Sequence, residues 1–219
     1  MRHAVVLTHN RPDQVRQTLT QIAPQCDRVL VLDNASWPPL DADYLPPNVR
    51  VWYDDTQPPN LAALWNRGLD AVANWETGSD RWEVALLCDD VDVPPDWYQR
   101  VSSGLREHAA AAASTHQAQP IATPIVKTAP DTDLWNRMCG WAFILAGETR
   151  LRADESMRWW WLDTTMDFEA RQSGGMVLVP GPIAVNRHPN GWTNAKPELA
   201  MQAARDREAF IARWGSAPW

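Results

Sequence analysis

Three carboxylates stand together where an apolar run stops. In Leu86-Leu87-Cys88-Asp89-Asp90-Val91-Asp92-Val93-Pro94-Pro95-Asp96-Trp97 the short apolar segment reads as a buried strand, and the two prolines end it. The loop beyond a strand's carboxyl end is where open α/β sheets take ligands. Clustered aspartates must be solvated, paired or metal-bound, because mutual repulsion otherwise raises their pKa values. A hard divalent cation, Mn2+ or Mg2+, suits them, and an ion held by one or two carboxylates keeps sites free for phosphate oxygens. The chemistry implied is a metal-assisted site for a phosphorylated donor. The competing reading is a solvated turn or a helix cap ahead of Trp97.

The elements that must position these groups read as α/β in the first half. Ala4 to Leu7 predicts a strand, and Thr8-His9-Asn10-Arg11-Pro12 a turn in which Asn10 caps a helix with proline in its first turn. Val15, Leu19 and Ile22 fall on one helix face. Arg28 to Leu32 predicts a second strand, ending at Asp33-Asn34-Ala35-Ser36, and Val49 to Tyr53 a third. Leu61 to Asn74 predicts a helix burying Leu61, Leu64, Trp65 and Leu69, and Val84 to Leu87 a fourth strand. Alternating strands and helices with polar strand ends predict a parallel, Rossmann-like nucleotide-binding sheet flanked by helices.

The second half is less regular. Pro95 to His108 predicts a helix, and Ala109 to Ala113 either its extension or a linker. Residues 114–136 are rich in Pro, Thr and Asp and predict a long functional loop. Gly140 to Leu145 and Met176 to Val179 predict strands, with a helix from Thr165 to Gln172 stopped by Gly174-Gly175. From Glu198 onward, Leu199, Ala203, Phe210 and Trp214 form one stripe of a last helix. The expected organisation is one domain over 1–219, with a donor-binding half at 1–113 and a smaller irregular acceptor-binding half at 114–219.

Composition narrows the class. A net charge of -7 argues against a generic nucleic-acid surface, which would be basic. Cys26, Cys88 and Cys139 are widely spaced and lack zinc or disulfide spacing, which fits a reducing compartment. The apolar run at the N-terminus is too short for a signal peptide, and no window has the apolar length of a bilayer span. A soluble cytoplasmic protein is expected.

The ordered loop motifs resemble family 2 glycosyltransferases with the GT-A fold. The residues are Val5-Val6-Leu7-Thr8-His9-Asn10-Arg11, Val31-Leu32-Asp33-Asn34-Ala35-Ser36, Asn60-Leu61-Ala62-Ala63-Leu64-Trp65-Asn66-Arg67-Gly68-Leu69 and Asp89-Asp90-Val91-Asp92. The resemblance implies a nucleotide-diphosphate sugar as donor. Thr8, Asn10 and Arg11 would line the nucleotide pocket, and Asp33 with Asn34 would contact base or ribose. Asn60 and Asn66 would lie near phosphates or sugar. An Asx-turn is the competing reading for Asp33-Asn34, and capping for the two asparagines. The aspartate-rich DXD motif would hold the divalent metal through Asp90. Cys88 replaces its first carboxylate, leaving Asp89 and Asp90 as the pair, with Asp92 as a substitute ligand.

Downstream, Trp159-Trp160-Trp161-Leu162-Asp163-Thr164-Thr165-Met166-Asp167 resembles the acidic motif that supplies the general base in inverting members. The family position falls on Thr164 or Thr165, which cannot act as base, and Asp163 and Asp167 flank the gap. Asp163, ahead of the helix, is the expected base, and Asp167 would brace the first turn. His188, followed by Trp192 and Thr193, resembles a late histidine metal ligand. Tryptophan is abundant, 14 of 219 residues, and Trp161 is a candidate acceptor platform, with core packing the competing reading. The acceptor is open among protein, glycan, lipid and nucleobase. An apolar tail ending in Trp214 and Trp219 offers a surface to a second copy. Two other classes stay open: a binding module without turnover, and a nucleotidyltransferase, for which the glycine-free loop from Thr8 to Pro12 is a poor triphosphate cradle.

Overall fold

The computed structural model describes residues 1–76, 81–133, 135–188 and 196–217. The first half runs β1 (Arg2–Thr8), α1 (Pro12–Ile22), β2 (Arg28–Asn34), β3 (Val49–Asp54), α2 (Leu61–Trp75) and β4 (Glu83–Cys88). Each element expected there forms, with its ends moved by a residue or two. β1 pairs in parallel with β2 and β4, setting Thr8 opposite Asp33 and Leu7 opposite Cys88. β1, β2 and β4 carry continuous buried apolar runs because helices cover both faces of the sheet, while β3 at the edge leaves Trp52 and Tyr53 exposed.

The second half runs β5 (Val91–Asp92), α3 (Trp97–Glu107), β6 (Ala112–Thr115), β7 (Ile125–Lys127), β8 (Ala142–Ala146), α4 (Leu162–Gln172), β9 (Met176–Val179), β10 (Val185–Asn186) and α5 (Pro197–Trp214). The main sheet has eight strands in the order β3-β2-β1-β4-β8-β6-β9-β7, and β5 with β10 forms a small antiparallel pair beside it. β8 is antiparallel to β4 and β6, so β6 points the same way as β4.

Strand alternation divides the core in two. Val5, Leu86, Phe143 and Leu178 face α2, α4 and α5, meeting Trp65, Leu69, Met166 and Phe210. Val6, Leu87, Ile144 and Val177 face α1 and α3, meeting Leu19, Tyr98, Val101 and Leu105. At Gly68 a Cβ would strike the Val5 side chain, so glycine lets α2 lie close on β1.

Two expectations for the second half are corrected. Ala109 ends the helical segment in a left-handed conformation (φ 49°), and Ala112 and Ala113 enter the buried strand β6. Alanine's helix preference is a weak prior, and here pairing to β8 and β9 on both sides overrides it. The expected loop over 114–136 accordingly begins in β6 and carries β7 at the sheet edge. Trp214 of the apolar tail packs on Phe168 and Phe210 of its own chain. Trp219 lies outside the described residues. Among the described residues no helix is long and apolar enough to cross a membrane.

Candidate active site

β1 leads to β2 on one side and has β4 on the other, so the chain leaves their carboxyl ends in opposite directions and opens a crevice between them. Thr8 ends β1 and Asp89 follows β4, and the Thr8 hydroxyl donates to Asp89 Oδ2 at 2.8 Å across this gap. One nitrogen of Arg11, Nη1, donates to Asp89 Oδ1 at 3.0 Å and to Asp90 Oδ2 at 3.1 Å. The turn's backbone is fastened separately. Thr18 donates to the carbonyls of Asp89 and Val91, and Arg187 donates to the same two carbonyls at 2.9 Å and to Asp92 Oδ1 at 2.6 Å. The Arg187 amide also donates to Asp90 O.

Asp89 and Asp90 are only 5% and 6% exposed. Burial pushes the Asp89 carboxyl up, while Arg11 and the Thr8 hydroxyl pull it back. Burial drives the Cys88 thiol well above its ordinary range, and the charges of Asp90, Asp89 and Asp163 add to that effect, so the thiol stays neutral. Cys88 N donates to Trp141 O at 3.0 Å, and the neighbouring Gly140 abuts the Asp163 carboxylate, so the 139–141 turn links the end of β4 to the head of α4.

The expected three-ligand metal set is not assembled: among the described residues no three metal-binding side chains converge. Asp92 is turned toward α1, where burial favours its proton but hydrogen bonds from Gln21 and Arg187 outweigh it and hold its carboxyl low. His188 accepts from Gln14 Nε2 at 2.9 Å on the same helix. Asp90 alone fits an ion, since among the described residues its Oδ1 has no partner. One carboxylate with phosphate oxygens and water is an ordinary coordination for Mg2+.

The remaining donor-site candidates divide by what they hold. Asn10, in the left-handed region (φ 54°), does not cap α1; the cap position is Arg11, and Asn10 Oδ1 accepts from Trp37 N at 2.6 Å. Asp33 is buried and accepts from the amides of Ser36 and Leu40, while Asn34 donates to the carbonyls of Asp54 and Thr56. These contacts shape the loop after β2. Asn60 caps α2 by accepting from Ala63 N and also donates to Glu155 O. Asn66 bonds the Ala153 backbone in both directions and Glu155. Both asparagines therefore anchor the segment that leads into α4. Trp192 and Thr193 lie outside the described residues.

At the head of α4 the structure separates the two candidate bases. Every residue from Trp161 to Phe168 is buried except Asp163, whose side chain is 25% exposed. Asp163 lies in the first helical turn, where the helix dipole favours its charge, with Arg137 Nη1 at 3.9 Å. Gly140 makes room for it, since a Cβ there would overlap the Asp163 carboxylate. Asp167 is buried and paired with Arg171 at 2.6 Å, and burial pushes its carboxyl up to about 6 against the pull of that arginine. Thr164 accepts from Arg137, and Thr165 donates to Met157 Sδ. Trp161 is 2% exposed against Phe210, so the exposed ring of this tryptophan run is Trp160.

Sequence reading did not single out Arg137, Gly140, Arg187 or Asp206. Arg187 was visible only as the neighbour of His188. Asp206 is fully buried on α5 and accepts from the amides of Arg158, Trp159 and Trp160, which no helical pattern announces. Two cavities, of about 280 and 360 Å³, lie away from this site, one beside Met1 and Arg106, the other between α1 and Pro46.

No protein-family model and no curated protein sequence matches this chain. Among solved structures it is similar to residues 1–349 of S. aureus TarS, with a TM-score of 0.53 and 11% identity over 94% of this chain and 68% of that one. It is also similar to a longer chain of S. aureus TarS, with a TM-score of 0.61 and 12% identity over 96% of this chain and 42% of that one. TarS is a glycosyltransferase. The likeness is one of fold: this chain is mixed α/β with a large central sheet flanked by helices, of the GT-A type.

Proposed function

We propose that this chain is an inverting, family 2-like glycosyltransferase. It moves a sugar, hexose-like, from a nucleotide-diphosphate donor to an acceptor hydroxyl with the help of a divalent metal. The observation that carries the reading is that two acidic centres are linked through the 139–141 turn, whose Trp141 carbonyl accepts from Cys88 N and whose Gly140 abuts Asp163. One is the fastened Asp89–Asp90 turn at the sheet's crevice, and the other is the single accessible carboxylate, Asp163, at the head of α4. The three free cysteines fit work in the reducing cytoplasm.

Thr8, Arg11 and the loop shaped by Asn10, Asp33 and Asn34 border the donor's place. A metal bound at Asp90 would supply Lewis-acid neutralisation of the departing diphosphate. Asp163 accepts the proton of the acceptor hydroxyl as its oxygen bonds to the anomeric carbon. The bond from that carbon to the diphosphate oxygen breaks on the opposite face. Arg137, with Nη1 3.9 Å from the Asp163 carboxylate, helps to aim it. Trp160, exposed next to this point, replaces Trp161 as the ring an acceptor would stack on.

The test is release of nucleoside diphosphate from a panel of sugar donors in Mn2+, compared between wild type and Asp163→Asn. Turnover that falls by at least ~100-fold in the variant supports the reading. Equal turnover in both proteins would remove Asp163 as base. Pyrophosphate released from nucleoside triphosphates would instead identify a nucleotidyltransferase, and binding without any release a non-catalytic module.

A further inference from the structure

We propose that Trp135 forms a second acceptor subsite, and that the acceptor is a glycan of at least two sugar rings. This rests on the glycosyltransferase reading above, with the acceptor at the head of α4. Among the described residues of the second half, two aromatic rings are exposed, Trp135 at 55% and Trp160 at 42%. Both belong to the surroundings of Asp163. Trp160 stands three residues before it, and Trp135 two residues before Arg137, whose Nη1 lies 3.9 Å from the Asp163 carboxylate and donates to Thr164 at 2.9 Å. These separations allow at most ~11 and ~7 Å of backbone. A second contact agrees: His116 follows β6, which points the same way as β4, and Trp135 packs edge-on against its ring with centroids 5.2 Å apart. Trp135 therefore stands at the end of the sheet that carries the acidic turn.

The exposed indole is firmly mounted. His116 is buried beneath it, and its Nδ1 accepts from the amides of Ala118 and Gln119 at 3.0 and 3.2 Å, which fixes the imidazole. Asp133 accepts from the amides of Trp135 and Asn136 and from Lys127 Nζ, and Gln117 accepts from Arg137 Nε at 3.2 Å. A ring held in this way loses little freedom when a ligand covers it, so more of the contact energy remains as affinity. The mixture of groups selects the ligand class. A sugar ring offers a face of C–H groups and a rim of hydroxyls, which suits indole faces set among Gln117, Arg137 and Thr164. A lipid chain would call for a contiguous apolar surface, and a net charge of -7 disfavours a nucleic-acid backbone.

The test uses the full chain, without donor, and saccharides of one, two and three rings built from glucose, N-acetylglucosamine and mannose, titrated by calorimetry or followed by saturation-transfer NMR. Wild type should bind the best disaccharide at least ~5-fold more tightly than its monosaccharide, the order of gain that one aromatic contact gives. In Trp135→Ala that ratio should fall to near unity, and in Trp135→Phe, which keeps a flat ring, it should lie between. General damage to the fold would weaken all lengths together and leave the ratio unmoved. A ratio that survives in Trp135→Ala would overturn the subsite, and so would a panel from which nothing binds wild type. Loss of the ratio in Trp135→Ala, together with equal diphosphate release by wild type and Asp163→Asn, would leave the subsite standing and remove the base. A ratio near unity in wild type, with release that depends on Asp163, would overturn the subsite and leave the base standing.

Discussion

Asp163 and Asp167 lie four residues apart on one helix, and their surroundings assign them opposite duties. Asp163 is open to a reactant and lies in the first turn, whereas Asp167 is sealed against Arg171. Asp163→Asn should lower kcat by ~10²–10⁴-fold with nucleotide affinity and melting temperature unchanged. Asp167→Asn should do the reverse, costing about 3 kcal/mol because among the described residues Arg171 keeps only Asp131 as a charged partner. Chemical denaturation and steady-state kinetics on the two variants separate the roles, and a matched loss of stability in both would argue against the assignment. Gly140→Ala is a third residue-level prediction. Its Cβ displaces the Asp163 carboxylate, so kcat should drop roughly tenfold at a near-normal donor Kd. Sequence placed both aspartates ahead of or within a helix but could not rank their exposure, since that depends on what α5, Arg137 and the loop at Gly140 bring from far along the chain.

Among the elements, α5 acts as a brace for the segment that leads into α4 and Asp163. Asp206 accepts three consecutive backbone amides from Arg158 to Trp160, and Arg213 pairs with Asp154 and Glu169. Asp206→Ala should cost about 3 kcal/mol, because three part-buried amides lose their shared acceptor. For a chain of this size that is ~6–12 °C in Tm, measurable by scanning calorimetry. A change of under ~2 °C would show that the segment holds without α5. The loop between β7 and β8 carries a pH dependence of known sign. Hydrogen bonding from Asn136, then the contact with Lys127, holds Asp133 at about 2, below its ordinary 3.8. A carboxyl lowered by folding contributes stability that is full above the ordinary value and is lost as pH falls from there toward 2. The Tm difference between wild type and Asp133→Asn should therefore be largest near pH 5 and close in acid. A constant difference across that range would show that the charge is not responsible.

At the scale of the molecule, the two halves of the chain meet inside the main sheet, where β4 pairs with β8. β1 and β4 bring Thr8, Asp89 and Asp90, and α4 brings Asp163 from the other half. A ligand bridging these residues should stabilise the whole chain, because only the folded state presents both sides. Nucleoside diphosphate with Mn2+ at ~100-fold its Kd should add about 2.7 kcal/mol, or ~5–11 °C in Tm. Asp90→Asn should remove most of the Mn2+-dependent part. A shift that persists unchanged in that variant would move the metal away from Asp90.

What the sequence determined by itself was the pattern that local physics controls. Apolar runs bounded by polar breakers set β1 to β4, the Val15-Leu19-Ile22 face set α1, and the clustered aspartates announced a charged site at a strand end. The glycine pair after Gln172 marked the end of α4, and both glycines take positive φ there. Tertiary structure alone decided the rest. Ala112 and Ala113 became strand because β8 and β9 were waiting on either side, which overrode a helical preference worth less than a hydrogen-bonded ladder. Asp92 and His188 were drawn to α1, and Trp161 into the core, by partners tens of residues away that no spacing rule encodes. Local propensity acts over a few residues, whereas burial and charge pairing are settled only when distant segments meet. For that reason the motif positions were legible in sequence, and the division of labour among their side chains was not.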